Sequence, residues 1–325
     1  MSQQPEPEGL LELVEGYLLG ETPTLTRIEV AEAAGVPIEV AVELWRLLGL
    51  PHAADDEVAF TRSDVEALAM TRELTEIGVL NADRQAALVR TWGRSFARLA
   101  EWQTSLLADV ARERGAGAGE DLMLLAGQVL PRVEHLQTYI WRRHLANAAG
   151  RGLAGFSGAS ATALAVCFVD IVGYTSRSKS LTEEELVDWL EEFEDACTAL
   201  VVERGGRVIK TLGDAVLFVA DSAAVAAGIA LAICALGADD ESRFPQVRAG
   251  LAYGEVVARL GDVFGPTVNV ASRLTSIARP DALLVDEGAA AVLREDPALE
   301  VTRLRRTSVK GYSRLQPYVV RAAGG

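Results

Sequence analysis

The feature that most constrains the fold is a change of hydrophobic period near residue 150. Before it, residues 10–148 read as helices joined by short polar breaks. Leu10, Leu11, Leu13, Val14, Tyr17 and Leu18 fall at helical spacing. Thr26, with Glu29 three positions on, is a capping-box pattern that opens a helix over 28–34. Gly35-Val36-Pro37 is a turn, and a helix over 38–48 stops at Gly49 with Pro51 beyond it. Another helix opens at Phe60-Thr61-Arg62-Ser63-Asp64, and periodic segments continue over 74–114. Gly115-Ala116-Gly117-Ala118-Gly119 is a flexible break. A last helix covers about 121–148, where Pro131 predicts a kink or a boundary. Trp45, Trp92, Trp102 and Trp141 lie in this half and are expected to be core anchors.

Residues 149–163, rich in Gly, Ala and Ser, read as a linker. Short strands and helices then alternate. Strands are predicted over 164–169, 207–211, 215–220, 247–253 and 282–286, and helices over 182–204, about 222–238 and 267–277. The remainder reads as short strands. The order β-α-β-β-α-β is the ferredoxin-like arrangement. The expected class is therefore α+β: an all-α domain over 1–148, a linker over 149–163, and a ferredoxin-like βαββαβ domain over 164–325.

Charge and cysteine content narrow the function. The chain has 325 residues, 31 Lys+Arg against 46 Asp+Glu, and a net charge of −15. Phosphate-backbone binding runs on Lys and Arg, so nucleic acid is not an expected partner. The cysteines, Cys167, Cys197 and Cys234, are odd in number and lack metal-ligand spacing, which argues against a disulfide framework and for a reducing compartment. Residues 1–8 lack the pattern of a signal peptide. Residues 222–238 carry no charge but fall short of the ~20 apolar residues of a membrane span, and read as a buried helix. A cytoplasmic protein without a membrane span is expected.

Three motifs carry chemistry. Phe168-Val169-Asp170-Ile171-Val172-Gly173-Tyr174-Thr175 puts a carboxylate at the end of an apolar strand, a costly position unless the charge is paired or binds a cation. In Lys210-Thr211-Leu212-Gly213-Asp214, a Gly-Asp turn joins two strands. If that hairpin lies beside the first strand, Asp214 approaches Asp170, and a hard divalent ion with oxygen ligands fits between them. Turn chemistry alone accounts equally well for the Gly-Asp pair. The third motif runs from Gly261-Asp262-Val263-Phe264-Gly265 to Asn269 and Arg273. The last two are four apart and share one helix face, as an anionic, oxygen-rich ligand would require; a solvated helix face is the plainer alternative.

Taken together, these motifs make residues 163–320 resemble the catalytic domain of class III nucleotidyl cyclases. The resemblance covers about half the chain and departs from the family pattern at Val263, where an aromatic residue is common. It implies a head-to-tail homodimer with active sites at the interface, each completed by both subunits. It implies that Asp170 and Asp214 bind two divalent cations, Mg²⁺ or Mn²⁺, and that Lys210 and Asp262 read the base. Asn269 and Arg273 would act on the transition state, and Lys310, in Ser308-Val309-Lys310-Gly311, would hold phosphate. Lys210 can only donate and ionised Asp262 only accept, which complements N1 and N6 of adenine and opposes O6 and N1–H of guanine. ATP is thus the expected substrate, and cyclic AMP and pyrophosphate the products. Guanylyl cyclase is the alternative; a DNA-binding regulator that senses nucleotide through this fold is another.

The first half would regulate and dimerise, as in some bacterial class III cyclases. Residues 24–50 also resemble the start of a MerR-type DNA-binding domain, but Glu29, Glu32, Glu39 and Glu43 punctuate the segment. All three histidines, His52, His135 and His144, lie in this half, and His135 and His144 flank the last helix as candidates for proton sensing. A lipid or a small molecule is the other class of effector that the apolar helical surface would suit.

Overall fold

The capping box at Thr26 is formed. Its hydroxyl accepts from the Glu29 N–H at 3.3 Å, and Glu29 Oε2 accepts from the Thr26 N–H at 2.8 Å. It opens helix α1 (Arg27–Ala34), and Gly35 closes that helix in the left-handed conformation. Helix α2 (Ile38–Leu48) ends on Gly49 in the same way. The structure is a computed structural model that describes residues 16–78, 82–113, 120–154, 162–239, 243–309 and 311–324. The chain divides into two units, residues 1–154 and 155–325.

In the first unit, strands β1 (Leu25–Thr26) and β2 (Val58–Phe60) pair antiparallel, and α3 (Arg62–Glu76), α4 (Ala82–Glu113) and α5 (Glu120–Ala154) follow. The ladder corrects the all-α expectation. The extended chain on either side of α1 and α2 leaves backbone groups that need partners, and the Thr24 N–H finds the Phe60 carbonyl at 2.9 Å. Val30, Ala31, Ala34, Ala41, Leu44, Leu47, Leu68 and Val89 form the core. Helix α5 contains Pro131 and runs on to Ala154, past the expected start of the linker. The glycine-rich break at 115–119 lies outside the described residues.

The tryptophan expectation is corrected. Trp45 packs on Phe60 in a tilted arrangement with ring centroids 4.7 Å apart, but Trp92, Trp102 and Trp141 are exposed. Helical spacing marks an apolar face without saying what covers it. Phe96, Leu99, Trp102, Leu136, Ile140 and Trp141 line a groove of about 580 Å³ on α4 and α5.

The second unit opens with β3 (Thr162–Ile171), the short α6 (Tyr174–Arg177) and α7 (Glu183–Glu203). Then come β4 (Arg207–Thr211), β5 (Ala215–Ala220), α8 (Ala223–Gly237) and β6 (Val247–Arg259). These supply the order β-α-β-β-α-β, and the sheet runs β4-β5-β3-β6 with antiparallel neighbours. Beyond them lie β7 (Asp262–Phe264), α9 (Pro266–Ile277), β8 (Leu283–Val285), α10 (Glu287–Leu293), β9 (Leu299–Arg303), β10 (Thr307–Val309), β11 (Tyr312–Leu315) and β12 (Tyr318–Ala322). Strands β8, β12 and β9 extend the sheet past β6.

The two sheet faces are covered unequally. Ala165, Cys167, Val169 and Ile171 of β3 pack under α7, α8 and α10. The alanines of α8 let it lie close to the sheet, and all three cysteines are buried free thiols. The opposite face, with Leu164, Val166, Leu217 and Val219, receives α9 through Ala271. Gly250 of β6 sets that approach, because a Cβ there would lie 2.2 Å from the Thr275 N and 2.6 Å from the Ala271 carbonyl. Gly250→Ala is therefore expected to destabilise the protein by about 1–3 kcal/mol, the usual cost of overpacking. Chemical denaturation of the full chain measures this, and activity should fall with it as α9 shifts.

Candidate active site

Alternation along β3 decides where its carboxylate points. Val169 and Ile171 face the three-helix core, so Asp170 between them faces the α9 side. Asp170 stands opposite Ala215 of β5 and Arg248 of β6. The β4–β5 turn then brings Asp214 beside it: the Ile171 N–H donates to the Asp214 carbonyl at 2.9 Å. The approach expected of the two aspartates is thus made. Arg248 donates to Asp170 Oδ2 twice, from Nε at 2.7 Å and from Nη2 at 2.5 Å. Burial pushes the Asp170 carboxyl above its ordinary pKa; Arg248 pulls it back, and the charge of Asp214 pushes it up again.

Two neighbouring carboxylates are a fitting donor set for a hard divalent cation. No group of three or more His, Cys, Asp or Glu side chains is placed to hold a metal among the described residues. An ion at Asp170 and Asp214 would thus need further oxygens, as Mg²⁺ does when it shares one or two carboxylates with substrate phosphates.

Lys210 and Asp262 form a second cluster, joined by a hydrogen-bonded ion pair. A bulge makes this pair. Val208 opposes Phe218 and Lys210 opposes Leu217, so Ile209 is the extra residue. Ile209 packs into the core on the α9 face, and Lys210 follows it on that same face. Asp262 arrives from the β6–β7 hairpin, whose turn residues Leu260 and Gly261 both have positive φ, at 55° and 79°. The Val263 N–H fixes Asp262 Oδ1 at 2.8 Å, leaving Oδ2 to Lys210.

Asn269 and Arg273 lie on α9, whose other side buries Ala271, Leu274 and Thr275. Gly265 caps this helix and Pro266 begins it. Among the described residues, no hydrogen bond or ion pair joins Asn269 or Arg273 to Asp170, Asp214, Lys210 or Asp262. Lys310 lies outside the described residues. Arg248 is the site residue that the motifs do not reveal.

Comparison with known proteins fits this geometry. Residues 158–322 match the adenylate and guanylate cyclase catalytic domain, and residues 4–135 match the adenylate cyclase regulatory domain. The chain is 36% identical to an adenylate cyclase of Glutamicibacter nicotianae, over 98% of this chain and 85% of that one. It is 41% identical to an adenylate cyclase of Streptomyces coelicolor, over 92% and 80%. A pH-sensitive adenylate cyclase of Mycobacterium tuberculosis is 30% identical, over 88% and 74%. The chain belongs to the class III nucleotidyl cyclases, with an adenylate cyclase regulatory domain ahead of the catalytic one.

Proposed function

We propose that the protein converts ATP to 3′,5′-cyclic AMP and pyrophosphate in sites shared across a homodimer, on a ferredoxin-like core. The observation that carries the choice of base is the Lys210–Asp262 pair. It presents one donor and one acceptor side by side, and adenine offers the matching acceptor at N1 and donor at N6. Guanine would set like against like and leave polar groups unsatisfied. A DNA-binding role is disfavoured by α2, where exposed Glu39 and Glu43 stand in place of a basic face and Arg46 is paired with Glu43.

Asp170 and Asp214 would hold two divalent cations, Mg²⁺ or Mn²⁺, which when bound acidify the ribose 3′-hydroxyl and neutralise phosphate charge. Asn269 orients the ribose for in-line attack on the α-phosphorus. Arg273 stabilises the charge that grows on the α-phosphate, a preorganised electrostatic contribution. Lys310 holds the phosphates that leave.

Two observations support shared sites. The α9 pair makes no contact with the aspartate cluster of its own chain through hydrogen bonds or ion pairs among the described residues. Around the site, Leu212, Val257, Leu260 and Phe264 expose apolar surface that suits a second copy. Asp170 and Asp214 of one subunit would then work with Lys210, Asp262, Asn269 and Arg273 of the other. The three unpaired buried thiols suit a cytoplasmic enzyme, and no helix among the described residues is long and apolar enough to cross a membrane.

The first unit would regulate. His135 and His144 are exposed on α5, and one relative is named for pH sensitivity, so a proton is the proposed signal. The α4–α5 groove would be the seat of an apolar effector instead. Replacing both histidines by Gln in the full chain should flatten the pH–activity curve between pH 5 and 8; an unaltered curve would rule out the proton.

Two further tests address the chemistry. Lys210→Met or Asp262→Asn should each lower kcat/KM for ATP by about 10- to 100-fold, the worth of a hydrogen bond to a charged group. Steady-state rates with ATP and GTP measure this. Asp170→Ala and Arg273→Ala should each be nearly inactive, whereas a mixed dimer of proven composition should recover partial activity through one intact site. No recovery would refute shared sites.

A further inference from the structure

We propose that Arg248 is a resident counter-ion that covers one carboxylate oxygen of Asp170, Oδ2, and must turn away before a divalent cation can bind that oxygen. The inference rests on the reading of Asp170 and Asp214 as metal ligands. It is carried by the way the guanidinium meets the carboxylate. The two residues stand directly opposite each other on β3 and β6. Nε and Nη2 converge on a single oxygen, Oδ2, at 2.7 and 2.5 Å. Both donors come from one guanidinium, so the side of Oδ2 that faces β6 is covered.

The electrostatics give the contact its purpose. Asp170 and Asp214 repel each other. The guanidinium offsets that repulsion from inside the site, where the Asp170 side chain is 18% exposed and that of Arg248 33%. Charge-assisted pairs of this kind are strong when solvent is partly excluded. Arg248 and a divalent cation therefore compete for Oδ2, and the nucleotide-free protein binds metal more weakly than its two carboxylates would alone.

Titration of Mn²⁺ into the full-length protein without nucleotide, with free Mn²⁺ read by electron paramagnetic resonance, tests this. Arg248→Gln should bind Mn²⁺ at least 10-fold more tightly than wild type. Arg248→Lys keeps the charge but loses the two-donor fork on Oδ2, so its affinity should fall between the two. Circular dichroism and thermal melting establish that each variant is folded, and if the Gln variant is not, the Lys variant decides. Unchanged or weaker binding in the folded Gln variant would overturn the proposal, because a merely structural arginine would leave Asp170 less ordered when removed. A Lys variant equal to wild type would also overturn it, leaving only a long-range charge effect. Asp170→Asn separates the two readings. If it binds Mn²⁺ as wild type does, the metal-ligand assignment fails and occlusion fails with it. If it loses binding while Arg248→Gln gains none, occlusion alone fails.

Discussion

The site depends on a carboxylate at the end of a strand that is buried on both faces. β3 lies between β5 and β6, and its odd-numbered side chains belong to the larger core. Asp170 cannot slide along the ladder, because a one-residue slip would put Val169 and Ile171 on the α9 side and a charge among apolar side chains. Hydrophobic packing on one face thus fixes a carboxylate on the other. The other site residues follow from the same sheet. Asp214 closes the turn into β5, Arg248 opens β6 and Lys210 leaves β4.

The unequal covering of the sheet separates stability from function. Three helices bury one face, and the conformational cost of ordering the chain is met mainly there. The other face has α9 and then polar side chains, which pack poorly and would be a weakness in a structural layer. Beyond the apolar cluster that α9 covers, at the end of β3, that face can carry charges in positions that strain electrostatics. Gly250 shows how little freedom remains where α9 does touch the sheet: backbone meets backbone, and the helix carrying Asn269 and Arg273 is held without a side chain between.

Much of this was legible in the sequence. The strands and helices from β3 to β6 follow from period and punctuation, and the βαββαβ order follows from them. Asp170 and Asp214 could be paired because a Gly-Asp turn between strands can lie in few places. Arg248 could not be found in this way. It sits in Val247-Arg248-Ala249 with no motif around it, and only the β3–β6 register sets it opposite Asp170. Register is a tertiary property that period alone does not give. The bulge at Ile209 is hidden for the same reason. In the first unit the helices were legible, whereas the β1–β2 ladder was not, since two- and three-residue strands carry too little pattern. The exposed Trp92, Trp102 and Trp141 mark the remaining gap: spacing identifies an apolar face, and only a partner or a ligand explains it.

The balance of charge is the last step. On charge alone, a chain of net charge −15 that binds a triphosphate calls for a basic cleft. Here two cations of the site face acids before any ligand arrives: Lys210 holds Asp262, and Arg248 holds Asp170. Binding is then an exchange of partners. On the proposed function, the base would insert between donor and acceptor in one pair, and a divalent cation would take the place of a guanidinium in the other. An exchange costs less than the creation of new buried charge, since Lys210, Asp262 and Asp170 would each trade one partner for another. It also discriminates. A ligand that satisfies only one member of a pair leaves the other desolvated and alone, and that penalty exceeds the gain of a single hydrogen bond. Acidic composition is therefore compatible with nucleotide binding, and the pairing that neutralises the resting site would also make it selective.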